Sequence, residues 1–186
     1  MTNTLAELLQ QTIDPAYQLE RKDRIWTLHE HGKTVEIRLA NRHSFAFSLD
    51  RANPKPFAFF SGSPPHGVNK MCDAILACHH RGDCYLFSIE MKTKHKDSYK
   101  HQLENGRLFC DWLIQLYRCH GHLEEKPISI GLLIWFPRPG SEKQGTVHRK
   151  TSGITKSQDQ RNFDHVLEIA NRSSMHIHDL VKSAKS

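Results

Sequence analysis

The chain has 186 residues, of which 38% are hydrophobic and 25% are charged, with a formal net charge of +6 and a pI near 9.1. This length fits one domain with a full hydrophobic core, so we expect residues 1–186 to form a single soluble globular domain. No apolar run approaches the roughly 20 residues that span a bilayer, so we expect no membrane partner, and the basic balance suits a polyanionic one.

The first residues and the cysteines both favour a cytoplasmic protein. The start, MTNTLAELLQQ, lacks the basic and apolar regions of a secretory signal peptide. The five cysteines form an odd set, scattered over segments that look like buried strands and a helix. In a reducing compartment such residues are ordinary core thiols.

The first part of the chain predicts a helix followed by strands. A short amphipathic helix is expected over residues 4–13, where apolar side chains recur at helical spacing before Pro15. Three short segments rich in β-branched and aromatic residues then predict an antiparallel meander, at 25–30, 34–40 and 44–49.

A proline-rich stretch, residues 51–70, leads from this meander to the centre of the chain. It contains the aromatic cluster around Phe57 and the loop SGSPPHG. Loops beside an active site often carry substrate contacts, and His66 and Lys70 are candidates for such contacts.

Residues 71–94 predict a β-hairpin. Two apolar runs flank the polar segment HHRGD, and Gly82 supplies the positive φ that a tight turn at Arg81–Gly82 needs. Pairing back from this turn predicts one continuous apolar face, made of Cys72, Ala74, Leu76, Cys78, Tyr85, Phe87, Ile89 and Met91. On the opposite face the same register places Asp73 across from Glu90, with Lys92 two positions further along the strand.

Asp73, Glu90 and Lys92 therefore form a candidate metal site. Directly opposed side chains lie roughly 4.5–5.5 Å apart at Cβ, where two like charges destabilise a sheet. A divalent cation between the carboxylates removes this repulsion, and oxygen ligands suit Mg²⁺. The ion would lower the pKa of a bound water and stabilise charge on a phosphoryl oxygen. Lys92 would position or deprotonate the water, or neutralise the phosphate.

A helix and a buried strand are predicted after the hairpin. The helix covers about residues 97–119, and Lys100 and Gln102 lie in its first turn, near the end of the Glu90–Lys92 strand. The strand, residues 127–136, is nearly all apolar and should be covered on both faces. Such a β–α–β crossover usually joins parallel strands.

The C-terminal part of the chain combines a basic loop with a helical segment. Residues 138–162 are polar and basic, which suits a loop that contacts phosphates, although a flexible excursion explains the same composition. Residues 163–182 show helical spacing and predict one or two terminal helices. The candidate nucleic-acid contacts in this loop and after the hairpin are Lys94, Lys96, Lys100, Arg149 and Lys150.

The arrangement D-(x)16-E-x-K across a hairpin, followed by an amphipathic helix, resembles the PD-(D/E)xK nuclease superfamily. The resemblance covers about residues 73–117, a quarter of the chain, and Cys72 stands where the nominal proline would be. It implies an α/β fold with a restriction-endonuclease-like core, in which helices flank a mixed central β-sheet. It also implies a set of oxygen donors for the metal, namely Asp73, Glu90, the carbonyl of Met91, and Glu7 or Glu20.

The resemblance further makes Lys92 the catalytic lysine and Gln102 a residue that orients the water or the phosphate. An ordinary solvated surface role remains an alternative for Glu7, Glu20 and Gln102. The expected activity is hydrolysis of phosphodiester bonds with Mg²⁺ or Mn²⁺, by a DNA endonuclease of restriction, defence or repair type. A chain of this size would cut both strands only as a homodimer or with a partner subunit.

Two alternatives to a DNA endonuclease stay open. One is a catalytically inactive nuclease fold that binds nucleic acid or protein, and the other is a nuclease that cleaves RNA. The intact set of Asp73, Glu90 and Lys92 argues against the first. A comparison of matched DNA and RNA substrates would separate the second.

Cysteine and histidine also cluster twice, at residues 78–84 and 119–122. The chain has no CxxC pair, and strand alternation points Cys78 and Cys84 to opposite faces of the hairpin. We therefore expect no structural zinc site.

Overall fold

The computed structural model describes residues 3–30, 32–39, 43–50, 57, 64–93, 99–136, 153–157 and 162–186. Within these ranges the helices are α1 (Leu5–Thr12), α2 (Tyr99–Cys119) and α3 (Ile177–Lys185), with a 3₁₀ turn at Pro15–Tyr17. The strands are β1 (Glu20–Lys22), β2 (Ile25–Glu30), β3 (Lys33–Arg38), β4 (Ser44–Phe47), β5 (Ala74–His80), β6 (Asp83–Lys92), β7 (Ile128–Trp135), β8 (Ile154–Lys156), β9 (His165–Ala170) and β10 (Ser174–His176). None of these helices is both long and apolar enough to cross a membrane.

The strands of the described ranges form two sheets. The larger sheet has the order β4-β5-β6-β7-β9-β8, and the smaller has the order β1-β2-β3-β10. In the larger sheet β5 and β6 are antiparallel, whereas β6, β7 and β9 run parallel to one another. The fold is therefore α/β with a mixed central sheet, as the sequence predicts.

Side-chain alternation along the strands gives the larger sheet two buried faces. One face packs against α1 and α2, where Ile75 shares an apolar cluster with Leu9 and Leu113. The other face packs against the smaller sheet and α3, where Phe87 shares a cluster with Trp26. The larger sheet is thus covered by helices on one side and by the smaller sheet with α3 on the other.

The hairpin of β5 and β6 has the predicted register. The central pairs are Ala74 with Ile89, Leu76 with Phe87, and Cys78 with Tyr85. Arg81 and Gly82 make the turn with φ values of 53° and 90°, the left-handed conformation that a two-residue hairpin turn needs. Cys72 departs from its predicted face, because strand pairing begins at Ala74 and Cys72 packs in the cluster on the helix side.

Helices α1 and α2 and strand β7 are confirmed close to their predicted bounds. The helix α2 connects the parallel strands β6 and β7, so the predicted β–α–β crossover is present. At the start of α1 the hydroxyl of Thr4 accepts a hydrogen bond from the N–H of Glu7, which caps the helix.

Two predicted elements are wrong. The strand at 44–49 does not continue the meander, because β4 pairs with β5 in the larger sheet and only β2 and β3 pair as predicted. The segment 163–182 is not helical throughout, because it contains β9 and β10 before α3. Val166 packs on the helix side while Leu167 and Ile169 pack on the other, which is the alternation of a strand covered on both faces.

Gly106 allows α2 to pack closely on the larger sheet. A Cβ at this position would overlap the Sγ of Cys72 and would lie 3.5 Å from the Oγ of Ser88. Gln102 lies one turn earlier on the same helix, so this close approach also sets the position of Gln102 above the sheet.

We expect Gly106→Ala to destabilise the protein by about 1–2 kcal/mol. Alanine in a helix interior normally stabilises by about 0.5–1 kcal/mol relative to glycine, but overpacking a core costs about 1–3 kcal/mol. Urea unfolding measures the difference, with Gln115→Ala on the exposed side of α2 as the control. Adding Cys72→Ala should restore part of the loss, because the new Cβ would then meet the Oγ of Ser88 at 3.5 Å and the Cβ of residue 72 at 3.6 Å, which are ordinary van der Waals contacts. A Gly106→Ala protein as stable as wild type would contradict this packing.

Candidate active site

The candidate site lies at the end of the β5–β6 hairpin that is opposite to its turn. Asp73 immediately precedes β5, and Glu90 and Lys92 lie at the end of β6. The first turn of α2 passes over this end of the sheet, where Gln102 reaches Lys92. The structure therefore brings together all the residues predicted to be catalytic.

Backbone hydrogen bonds hold the two carboxylates side by side. The N–H of Asp73 donates to Oε2 of Glu90 at 3.3 Å, and the N–H of Met91 donates to Oδ2 of Asp73 at 2.6 Å. Each carboxylate therefore uses one oxygen in a backbone bond. Its second oxygen, Oδ1 of Asp73 or Oε1 of Glu90, makes no backbone bond, and that of Glu90 contacts the ammonium group of Lys92. The predicted role of the Met91 carbonyl as a ligand stays a prediction.

Lys92 lies between the carboxylate pair and α2. Its Nζ forms an ion pair with Oε1 of Glu90 and donates to Oε1 of Gln102 at 2.8 Å. The amide of Gln102 donates in turn to the carbonyl of Met71 at 3.3 Å, which fixes the orientation of this side chain. Gln102 is therefore a positioning residue for the Lys92 ammonium group.

The two carboxyl groups have raised pKa values. The Glu90 side chain is 0% exposed, and burial raises its pKa to about 7 against the lowering effect of Lys92. Burial also raises the pKa of Asp73 to about 8, and repulsion from Glu90 adds to this increase. When both carboxyl groups are ionised, the single ammonium group balances only one of them, and a divalent cation would offset the repulsion between the two. The donor set and its charge thus fit a hard divalent ion.

Two further carboxylates lie near this pair. Burial is the largest cause of both raised pKa values. Repulsion from Asp50 adds to the increase for Glu90, and repulsion from Glu30 adds to that for Asp73. Neither residue was predicted as part of the site. Asp50 follows the strand that the sequence places in the meander, so its approach to Glu90 becomes predictable only once β4 is known to pair with β5.

A cleft of about 630 Å³ opens beside Lys92. It is lined by Asp50, His66, Gly67, Val68, Lys70, Lys92, His101, Gln102 and Asn105. Asn105 holds the loop that forms one wall, because its amide donates to the carbonyls of Gly67 at 2.8 Å and Lys70 at 2.7 Å. His66 and Lys70, the candidate substrate contacts, are exposed on this wall.

The structure does not bring Glu7 to the carboxylate pair. The Glu7 carboxylate accepts from the N–H of Thr4 at 2.9 Å, and its hydrogen bonds to Thr4 lower its pKa. The charge of Glu7 is close enough to interact with His79, which lies at the far end of β5, about 20 Å from Asp73 at the rise of a strand. The other candidate, Glu20, is exposed in β1, and its Oε2 lies 3.9 Å from Nε2 of His29.

The predicted nucleic-acid contacts fall mostly on parts of the chain that the structure does not describe. Lys100 is half-buried in the first turn of α2. Lys94, Lys96, Arg149 and Lys150 lie outside the described residues, as does most of the predicted basic loop at 138–162. Within that loop the structure places β8, which pairs with β9 at the edge of the larger sheet.

Comparisons of the chain with family models, with curated proteins and with solved structures found no match in any of the three. The likeness to the PD-(D/E)xK superfamily accordingly rests on Asp73, Glu90 and Lys92 and on the order of hairpin, helix and parallel strand around them. The functional interpretation depends on this arrangement and on the cleft beside it.

Proposed function

We propose that this protein is a nuclease of the PD-(D/E)xK type that hydrolyses phosphodiester bonds, in DNA rather than RNA, with Mg²⁺ or Mn²⁺. The observation that carries the proposal is the pair of Asp73 and Glu90 held side by side next to Lys92, which lines a cleft. The order of the β5–β6 hairpin, α2 and the parallel strand β7 supports a restriction-endonuclease-like core.

A purely structural role explains the carboxylate pair poorly. Burying two like charges costs free energy, and the single ammonium group of Lys92 balances only one of them. A fold that needed only stability at these two positions would be served as well by apolar residues, since well-packed hydrophobic replacements of buried charges are often neutral or stabilising. A cation-binding role accounts for both carboxylates at once.

The proposed roles follow from the positions of the side chains. Asp73 and Glu90 would hold a divalent cation through Oδ1 and Oε1, with the ion taking the place of the Lys92 ammonium group at Oε1 of Glu90. Such an ion supplies charge stabilisation on a phosphoryl oxygen and a lowered pKa for water. Lys92 lines the cleft, where it can hold the attacking water or the scissile phosphate. Gln102 keeps the Lys92 ammonium group in place. In the hydrolysis, the oxygen of water forms a bond to phosphorus and the bond from phosphorus to the leaving oxygen breaks. The proton lost by the water is balanced by the proton that the leaving oxygen gains.

The surroundings of the cleft favour a polyanionic substrate. His66, Lys70 and His101 line the cleft together with Lys92, and the chain carries a formal net charge of +6. Basic side chains beside a cleft attract phosphates and displace their counterions. We propose DNA over RNA because the superfamily acts mostly on DNA, which is an argument from likeness.

Cleavage assays test this proposal directly. The purified protein would be incubated with plasmid DNA, single-stranded DNA and RNA in Mg²⁺, in Mn²⁺ and in EDTA. We expect DNA cleavage with either metal and none in EDTA, because the carboxylate pair needs a cation to act. Cleavage that continues in EDTA would contradict the metal-dependent mechanism. Faster cleavage of RNA than of matched DNA would make the protein an RNA-cleaving nuclease, and tight binding without cleavage would favour an inactive nuclease fold.

A further inference from the structure

A second cluster of metal-binding side chains lies at the turn end of the same hairpin. His79 in β5 and Cys84 in β6 are directly paired, and Glu125 approaches them from the segment between α2 and β7. One ligand atom from each residue lies within 4.8 Å of the other two, and Nε2 of His79 is 2.7 Å from Oε2 of Glu125. Cys78, by contrast, packs on the opposite face of the sheet, as strand alternation predicts.

The surrounding structure holds this cluster in place. The second carboxylate oxygen of Glu125 accepts a hydrogen bond from the N–H of Leu5 at 3.0 Å, at the start of α1. The guanidinium of Arg118, near the end of α2, donates to the carbonyl of Glu125 at 3.0 Å. Cys84 is 5% exposed. Two strands and two helices therefore meet at these three side chains.

We propose that His79, Cys84 and Glu125 form a zinc site, with water completing a tetrahedral coordination. Imidazole nitrogen, thiolate sulfur and carboxylate oxygen are the ligand types that Zn²⁺ takes in proteins, whereas Mg²⁺ prefers oxygen alone. On binding, the Cys84 sulfur loses its proton to solvent, and any proton shared by His79 and Glu125 is released with it. This site is separate from Asp73 and Glu90, at the other end of β5.

The rearrangement needed to admit zinc is small. Tetrahedral bonds of about 2.0–2.3 Å place pairs of ligand atoms about 3.4–3.6 Å apart. The contact between His79 and Glu125 must open from 2.7 Å to that separation, and the remaining ligand-atom distances are at most 4.8 Å, so any that exceeds that separation must shorten by no more than about 1.4 Å. The metal-free alternative is an ion pair between His79 and Glu125 with a hydrogen bond between the Cys84 thiol and the same carboxylate, and it predicts no thiolate bound to metal. Zinc would fasten the start of α1 and the end of α2 to the central hairpin.

The absence of a CxxC pair does not argue against this site. The expectation of no structural zinc concerned a site that uses the sequence-local cysteine and histidine clusters. Two of the proposed ligands, His79 and Cys84, belong to the cluster at residues 78–84, and the third, Glu125, is 46 residues from His79. Only the fold brings them together.

Cobalt substitution tests the proposal, because a thiolate bound to Co²⁺ gives a near-ultraviolet charge-transfer band. The metal-free full-length protein, under reducing conditions, would be titrated with Co²⁺ and then with Zn²⁺. We expect a thiolate band that saturates at one equivalent, disappears when Zn²⁺ is added, and persists in excess Mg²⁺. Cys84→Ser should abolish the band, and Glu125→Gln should weaken Co²⁺ binding at least about tenfold. Glu125→Gln keeps an acceptor for the N–H of Leu5, so circular dichroism should show it folded.

Two control variants test whether another cysteine gives the thiolate band. Cys119→Ser should keep it, because Cys119 belongs to the exposed cluster with His120 and His122, whose rings stack at 6.2 Å. Asp73→Asn should also keep the thiolate band, because the proposed site does not use the carboxylate pair. A retained band would indicate that Co²⁺ is not bound beside that pair, where Cys72 lies. The proposal is overturned if wild type gives no thiolate band, if the band survives in folded Cys84→Ser, or if either control variant removes it.

Discussion

In the Asp73→Asn variant, Mg²⁺-dependent cleavage is expected to fall by at least about 100-fold, while the metal-free protein keeps or gains stability. Removal of a group that only hydrogen-bonds to a metal ligand lowers metal affinity or activity about 10–100-fold. Loss of a ligand itself should therefore lower activity by at least the upper end of that range. Stability should respond differently because asparagine still accepts from the N–H of Met91 and removes one of two neighbouring negative charges. Initial cleavage rates and urea unfolding in EDTA measure the two effects.

The matched control for this variant is Asp23→Asn. Asp23 is exposed in the turn between β1 and β2, and its φ of 55° is one that asparagine tolerates as well as aspartate does. Both cleavage and stability should match wild type in this control. Full cleavage by Asp73→Asn would show that the chemistry lies elsewhere. A joint loss of cleavage and stability would instead show that Asp73 is needed for folding.

The separation of activity from stability also distinguishes a metal site from an ordinary ion-pair network. If Glu90 and Lys92 formed only a structural ion pair, Asp73 would be a nearby like charge that destabilises the pair, and its removal would have no effect on chemistry. If the pair binds a cation, the same substitution removes a ligand. Only the second case gives lower activity together with equal or higher stability.

The central hairpin could be predicted from the sequence because three local signals agree there. Gly82 fixes the turn, the apolar residues alternate, and the two apolar runs start at equal distances from the turn, at Cys78 and Tyr85. A shift of one residue would move the apolar residues to the other face of the hairpin, so a neighbouring register would be much less stable. Extending that register by one residue beyond Ala74 and Ile89 brings Asp73 next to Glu90.

The wrong elements are those in which a local pattern fits two structures. The strand β4 has the composition of a meander strand, and its pairing with β5 depends on a contact between segments that are distant in sequence. In β9 the spacing of Val166 and Leu167 fits a helix, while burial of Leu167 and Ile169 on one face and Val166 on the other is possible only in a strand. The missed carboxylate of Asp50 is a consequence of the first of these errors.

The position of Glu7 shows a limit of reasoning from likeness. The superfamily resemblance suggests an acidic ligand from the N-terminal helix, and Glu7 is the acidic residue of α1. The same residue stands three positions after Thr4, which is the spacing of a capping box, and the structure shows both hydrogen bonds of that box. The local signal was present in the sequence and gives the simpler account of Glu7.

Between about pH 4 and pH 8 the carboxylate pair should make the metal-free protein less stable as the pH rises, and Mg²⁺ should oppose this loss. The folded pKa values of Asp73, about 8, and Glu90, about 7, lie above the usual values for unfolded chains. A group with a raised folded pKa binds more protons in the folded state. Its stabilising contribution is complete below the unfolded pKa and is lost as the pH rises through the folded one. Urea unfolding at several pH values, with EDTA or excess Mg²⁺, measures the effect.

The difference between wild type and Asp73→Asn isolates the carboxylate pair in these profiles. Burial lowers the pKa of His80 and His165, which adds a contribution of opposite sign that is lost as the pH falls, but this contribution is common to both proteins. Asp73→Asn should therefore lose less stability on going from pH 5 to pH 8 in EDTA, by up to about 1.4 kcal/mol per pH unit for each proton involved. It should also gain less from Mg²⁺ at pH 8, because the substitution removes one of the two carboxylates that would hold the ion. Parallel profiles for the two proteins would mean that Asp73 titrates near its usual pKa and that the pair does not bind Mg²⁺.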